Sequence, residues 1–211
     1  MWLLCAATEP ELATWNTHAF PDCERFVSGV GIPATFAHLL PKILAGDYSL
    51  VVNIGIAGAY PESGLCIGDI VIASGERYGD LGMELPAVPH FQPLSETPFG
   101  GNYHEPYPTI CPPELLLPGA HRAGGATVST CTGTDATGRR RAAQTGAGFE
   151  TMEGAAVAQI GQLCGVSVCE IRAISNVAAH RDMRPENIRL ALDNLREYFA
   201  ACARRNKSDT P

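Results

Sequence analysis

The 211-residue chain has little positive charge: 15 Lys and Arg stand against 22 Asp and Glu, a formal net charge of −7. Phosphate recognition needs clustered Lys and Arg, so the charge argues against a nucleic-acid partner. Long apolar runs are also missing, and none approaches the roughly 18 residues that a membrane span requires. The apolar start, Met1 to Ala7, has no basic region before it and runs into Thr8-Glu9-Pro10-Glu11, which argues against a signal peptide. A cytoplasmic protein without a membrane partner is expected.

Paired metal and disulfide spacings are absent too. The eight cysteines form no Cys-x-x-Cys, and Cys5, Cys66, Cys164 and Cys169 sit in apolar segments, where they read as small buried hydrophobes of a reducing cytoplasm. Histidines at 18, 38, 90, 104, 121 and 180 show no His-x-x-x-His, so a zinc site is not expected. There is no Walker motif and no G-x-S-x-G nucleophile elbow. Gly29-Val30-Gly31-Ile32-Pro33-Ala34 mimics a dinucleotide fingerprint, but the next strand ends without the acid that would hold a ribose. A tight turn with close helix packing is the plainer reading.

What is present is an alternation of short β-rich runs with helical patterns. Strands are expected at Trp2 to Ala7, Arg25 to Val30, Leu50 to Gly55, Asp69 to Ser74, Thr127 to Thr132 and Val166 to Ile174. Helices are expected at Ile32 to Leu44, Gly154 to Cys164 and Pro185 to Arg204. That order is α/β. With 45% hydrophobic residues, the chain can bury one sizeable core, so residues 1–203 read as one domain and 204–211 as a frayed polar tail. The segment Pro86 to Pro118 holds nine of sixteen prolines with Phe91, Phe99, Tyr103 and Tyr107. So long an irregular stretch is functional or disordered, and its aromatics favour a lid over a pocket or a subunit contact.

The richest stretch runs from Phe149 to Asn176. Glu153 precedes a helical pattern and Asn176 ends a strand pattern, which brings both side chains to one sheet edge. A carboxylate accepts two sugar hydroxyls, and an amide offers a heteroaromatic base one donor and one acceptor. Together they fit a nucleoside. Asn53-Ile54-Gly55-Ile56-Ala57-Gly58 reads as a buried strand breaking into a small-residue turn whose N–H groups can approach a ligand.

These residues, with Gly68-Asp69-Ile70-Val71, Thr151-Met152-Glu153-Gly154-Ala155-Ala156 and Arg172-Ala173-Ile174-Ser175-Asn176, resemble the nucleoside phosphorylase and nucleosidase superfamily in order and spacing. The resemblance runs from Met1 to about Leu195. Within the superfamily the chain is similar to the methylthioadenosine/S-adenosylhomocysteine nucleosidases, and more so to the futalosine hydrolases of menaquinone biosynthesis. Arg77-Tyr78-Gly79-Asp80-Leu81-Gly82 and an Asn at 176, where adenine-specific members carry Asp, suggest the latter. The resemblance implies a three-layer αβα sandwich with a mixed twisted central sheet, a homodimer or higher homo-oligomer, and no cofactor or metal. It also implies that Glu11 activates water, Met152 and Glu153 hold the ribose, and Ala57 and Gly58 lie beside base and sugar. Read without it, Glu9 and Glu11 would merely decorate a helix N-terminus, as would Glu153. The base-stacking segment falls near Thr132 to Arg139, where a Phe is usual and this chain has Thr137.

Cleaving an N-glycosidic bond builds positive charge on the ribose and negative charge on the departing base. Asn176 can donate to O6 of a 6-oxopurine, where an ionised Asp would repel it. The leaving base would take its proton from water or depart as a hydrogen-bonded anion. Two acids near the first strand would repel phosphate, which makes water the nucleophile. The expectation is futalosine hydrolysis to hypoxanthine. The alternatives are an adenine nucleosidase and a nucleoside-binding protein without turnover.

Overall fold

A computed structural model describes all residues except 16–19, 21, 89, 181–183 and 209–211. His18 and the last tail residues therefore lie outside the described part. The strands are β1 (Trp2–Ala6), β2 (Cys23–Val27), β3 (Leu50–Ala59), β4 (Ile70–Tyr78), β5 (Gly82–Glu84), β6 (Phe91–Pro93), β7 (His121–Thr127), β8 (Phe149–Thr151) and β9 (Ser167–Val177). The α-helices are α1 (Glu9–Leu12), α2 (Ile32–Leu44), α3 (Asp135–Thr145), α4 (Gly154–Cys164) and α5 (Pro185–Ser208).

Residue alternation explains the three layers, since successive side chains on a strand point to opposite faces. Leu4 and Ala6, Leu50, Val52 and Ile54, and Cys169, Ile171 and Ala173 share one core with Leu195, Phe199 and Cys202 of α5. The intervening Leu3, Cys5, Val51 and Val168 join a second core with Leu39 and Ile43 of α2 and Val157 and Ile160 of α4. The α/β three-layer architecture and the mixed sheet are as expected.

β3 pairs in parallel with β1 and β9, while its last two residues turn to β8 in antiparallel fashion. β8 pairs with β7, β7 with β4, and β4 with β9. Five strands, β3, β8, β7, β4 and β9, thus close a ring, and β1 and β2 extend the sheet to one side.

Several boundaries differ from expectation. α2 and α4 span the residues foreseen. β3 runs on to Ala59, so the small-residue run is strand rather than turn. β7 ends at Thr127, where a strand was expected to begin. Gly125 within it is a consequence of packing, because a side chain there would overlap the Glu76 carboxyl and Phe149. α5 continues to Ser208 instead of fraying after Arg204, and the Arg205 guanidinium donates to the Leu116 and Pro113 carbonyls. No described helix is long and apolar enough to cross a membrane. The proline-rich segment is seated at a few points: Tyr103 and Tyr107 pack edge-on against Tyr78, and Leu115 is fully buried. Phe99 and Val88 remain exposed.

Candidate active site

β1 stops at Ala6, paired with Ile54, and β8 takes up β3 only at Gly58. The edge of β3 between them is left open, and the chain leaving β1 folds across the gap as the single turn α1. Its Glu11 carboxylate accepts the Ile56 N–H at 3.0 Å and the Thr8 hydroxyl at 2.7 Å. Glu11 is 7% exposed. It therefore does not decorate a helix end but occupies the position of a missing strand partner.

Glu153 sits at the N-cap of α4 without capping it. Its Oε1 accepts the Gly31 N–H at 2.9 Å, and Oε2 lies 3.9 Å from Arg172 Nη2. Burial raises this carboxyl above the ordinary range, with Arg172 and the Gly31 N–H acting in the opposite direction. Gly29 and Gly31 have φ of 84° and 86°, a conformation natural to glycine. The dinucleotide-like Gly29-Val30-Gly31 is thus a turn that presents an N–H to Glu153.

Asn176 owes its place to a bulge. Ala57 faces Ile174 but Gly58 faces Asn176, so Ser175 is the extra residue on β9. The alternation that carries Arg172 and Ile174 is broken there. The Ser175 hydroxyl donates to Asn176 Oδ1 at 3.0 Å and to the Ala57 carbonyl at 3.3 Å. Asn176 Nδ2 donates to the Val177 carbonyl at 3.1 Å, and its second hydrogen is left for a ligand. A Cβ on Gly58 would stand 3.0 Å from Nδ2, so a side chain there would push the amide back by a few tenths of an ångström.

All six residues expected from sequence, Glu11, Ala57, Gly58, Met152, Glu153 and Asn176, line one open cavity of about 390 Å³. Their roles remain matters of chemistry, but their convergence is geometric. Such a volume lies in the range of small-molecule sites, roughly 300–1,000 Å³, and the cavity opens at the carboxyl ends of β1, β3 and β9, where α/β sheets bind ligands. The cavity is lined as well by Val128, Cys131 and Thr132 and by Ile188 and Leu192 of α5. Thr137 is not in the wall: its N–H donates to Thr134, the N-cap of α3. No described residue of the Pro86 to Pro118 segment lines this cavity, so its described part is not a lid over it within the chain.

Sequence reasoning missed the bracing around this site. Glu150 accepts from the Thr132 N–H and hydroxyl at 2.8 and 2.5 Å, and Arg141 donates to Thr132, to the Thr130 carbonyl and to Asp80. Asp80 also receives the Ser129 N–H, which gives a role to the Arg77 to Gly82 motif: it ties down the loop between the lining residues Val128 and Cys131. Arg172 and Glu170 were passed over as part of a buried strand, although two charges at i and i+2 in such a strand are themselves a signal.

A three-layer fold with an acid-and-amide cavity at its strand ends defines an enzyme of the nucleoside phosphorylase and hydrolase class. The phosphorylase superfamily model matches residues 15–205. The chain is 37% identical over 196 residues to futalosine hydrolase of Acidothermus cellulolyticus, covering 88% of this chain and 77% of that protein. It is 36% identical over 200 residues to futalosine hydrolase of Streptomyces coelicolor, covering 88% and 81%. Its fold matches a futalosine hydrolase mutant of Helicobacter pylori with a TM-score of 0.76 at 15% identity, over 97% of this chain and 98% of that one. The chain belongs to the phosphorylase superfamily, within its futalosine hydrolase family, and is an N-glycosidic hydrolase.

Proposed function

We propose that the chain hydrolyses the N-glycosidic bond of futalosine and releases hypoxanthine, a step of menaquinone biosynthesis. The observation that carries this reading is the convergence of Glu11, Glu153 and Asn176 on one cavity. Glu11, fixed by the Ile56 N–H and Thr8 hydroxyl, deprotonates water for attack on the anomeric carbon. Glu153 receives ribose hydroxyls, and its negative charge offsets the cationic character that the ring acquires as the bond breaks. Met152 packs beside the sugar, and the Ala57-Gly58 strand supports both sugar and base. Asn176 donates its remaining N–H to the 6-oxopurine and stabilises the negative charge that develops there. The Glu11 carboxylate beside Glu153 disfavours a phosphate dianion, which supports water as the nucleophile.

The resemblance further supports a cytoplasmic homodimer or higher homo-oligomer, which native mass measurement would establish. The chemistry is tested by incubating the protein with futalosine, inosine and methylthioadenosine and separating the free bases. Hypoxanthine from futalosine without added phosphate is the expected result. Adenine release would instead make it an adenine nucleosidase, phosphate-dependent release a phosphorylase, and binding without release a non-catalytic protein. In the same assay Glu11→Gln is expected to abolish turnover while retaining substrate binding by calorimetry, because shape is kept and the base is lost.

A further inference from the structure

Behind the cavity, inside the ring of strands, lies a second group of acids that the reaction does not touch. Glu170 and Arg172 of β9 point the same way along the strand, and Arg172 Nε donates to Glu170 Oε1 at 2.8 Å. Both are essentially inaccessible, as is Glu76 of β4. A side chain on Gly154 would stand 2.6 Å from Glu76 Oε1 and 2.8 Å from Glu170 Oε1, so the two carboxyls meet over the first residue of α4. Glu76 Oε1 and Glu170 Oε2 are buried without a hydrogen-bond donor. Two carboxylate faces in contact in a dry interior are a pair that cannot both be ionised, and one proton between them supplies the missing donor.

We propose that Glu76 and Glu170 are positioning residues, a carboxyl pair that shares one proton and clamps Arg172 behind Glu11 and Glu153. This inference rests on the functional reading above and deepens it. Glu170 is the ionised member because it holds the guanidinium. Glu76 carries the proton: burial, and then the charge of Glu170, hold its carboxyl well above the ordinary range. Arg172 in turn reaches Glu153, and it faces Glu11 across Gly55, where an added Cβ would lie 2.5 Å from Arg172 Nη1 and no farther from Glu11 Oε1. Glu76 also acts on Glu153 by a second route. Its Oε2 accepts the Thr127 hydroxyl at 2.9 Å, and Thr127 Oγ1 accepts the Ala155 N–H at 2.6 Å, which pins the helix start next to Glu153.

The titratable groups facing Arg172 are Glu170 of its own strand, Glu76 of β4, Glu153 at the start of α4, Glu11 of α1 and Cys5 of β1, whose thiol burial pushes up to about 12. With the shared proton, three carboxylates surround one guanidinium instead of four. Removing the Glu170 charge leaves more of the cation's field on Glu153, which favours its ionised form.

The test uses the full chain with two readouts. Infrared spectroscopy of the unliganded protein near neutral pH should show a buried protonated-carboxyl band that Glu76→Gln removes. In hypoxanthine release from futalosine, Glu170→Gln should lower kcat about 10- to 100-fold, the loss of a charged hydrogen bond, and move the acidic limb of kcat/KM to lower pH. Glu76→Gln keeps a donor and should recover most of the rate that Glu76→Leu loses. Absence of the band, an unmoved acidic limb in Glu170→Gln, or equal losses in Glu76→Gln and Glu76→Leu would each overturn the clamp. If the wild-type chain releases no base from futalosine, the functional reading fails, and the infrared result still decides the pair by itself.

Discussion

At the scale of single residues, the site is built from side chains standing where backbone partners are missing. Asn176 is aimed by a bulge and by Ser175, and its free N–H suits an oxo group. Asn176→Asp is therefore expected to lower preference for 6-oxopurine over 6-aminopurine nucleosides by on the order of 10⁴, the discrimination lost when buried donors and acceptors are mismatched; the ratio of kcat/KM for the two substrates measures it. Gly58→Ala places a methyl 3.0 Å from Asn176 Nδ2 and 3.3 Å from the Ala178 side chain. It should raise KM and lower kcat with little change in melting temperature, and a variant with wild-type kinetics would show that the amide has room to spare. Glu153 and Asn176 stand out in the sequence as polar groups beside apolar runs, whereas Glu11 is assigned only through the family resemblance, because by itself an acid in Thr8-Glu9-Pro10-Glu11 reads as decoration of a helix N-terminus. Gly31 was not legible, because its contribution is a backbone N–H whose partner lies 122 residues away. Arg172 and Glu170 were hidden by their company, since only the packed ring shows which groups a buried charge meets.

At the scale of elements, legibility followed side-chain periodicity. α4 and α2 announce themselves by composition and by their ends, and their predicted limits hold. α3 was invisible because Asp135 to Thr145 carries no apolar stripe. It is fixed by the Thr134 N-cap and by Gly146 in the left-handed conformation at its C-terminus. β8 has three residues, too few for a period, and the middle of β7 is Ala-Gly-Gly-Ala, with Glu76 and Phe149 crowding against Gly125. Both strands exist to close the ring, so the polar interior that makes them necessary also erases their sequence signal. α5 is different, an amphipathic helix whose Phe199 is fully buried with its ring centroid 4.7 Å from that of Trp15. Phe199→Ala should cost about 3–5 kcal/mol in a denaturant titration. A loss under about 1 kcal/mol would mean that α5 relaxes into the space.

For the whole molecule, buried acid sets the response to pH. Glu76, Glu105 and Glu153 are all held above the ordinary carboxylate range, chiefly by burial. A carboxyl whose folded pKa is raised favours the fold most fully below its unfolded value, about 4.3, and that contribution fades as pH climbs through the folded values. The melting temperature should accordingly decline as pH rises from just above the ordinary carboxylate range, and Glu76→Gln should flatten the decline. A melting temperature that rises over the same interval would contradict the assignment. The closed ring has a further effect on how the molecule meets its own copies. Because the ring strands are each flanked on both sides, β2 is the one strand of the seven-stranded sheet paired on a single side. Its sequence, Cys-Glu-Arg-Phe-Val, carries two charges, and Glu24 is engaged by Lys42 and Tyr48. Charged edge strands resist pairing with a second chain, so within the seven-stranded sheet the hazard of edge-to-edge aggregation is concentrated on five residues that are already guarded; the separate β5–β6 ribbon has its own edges.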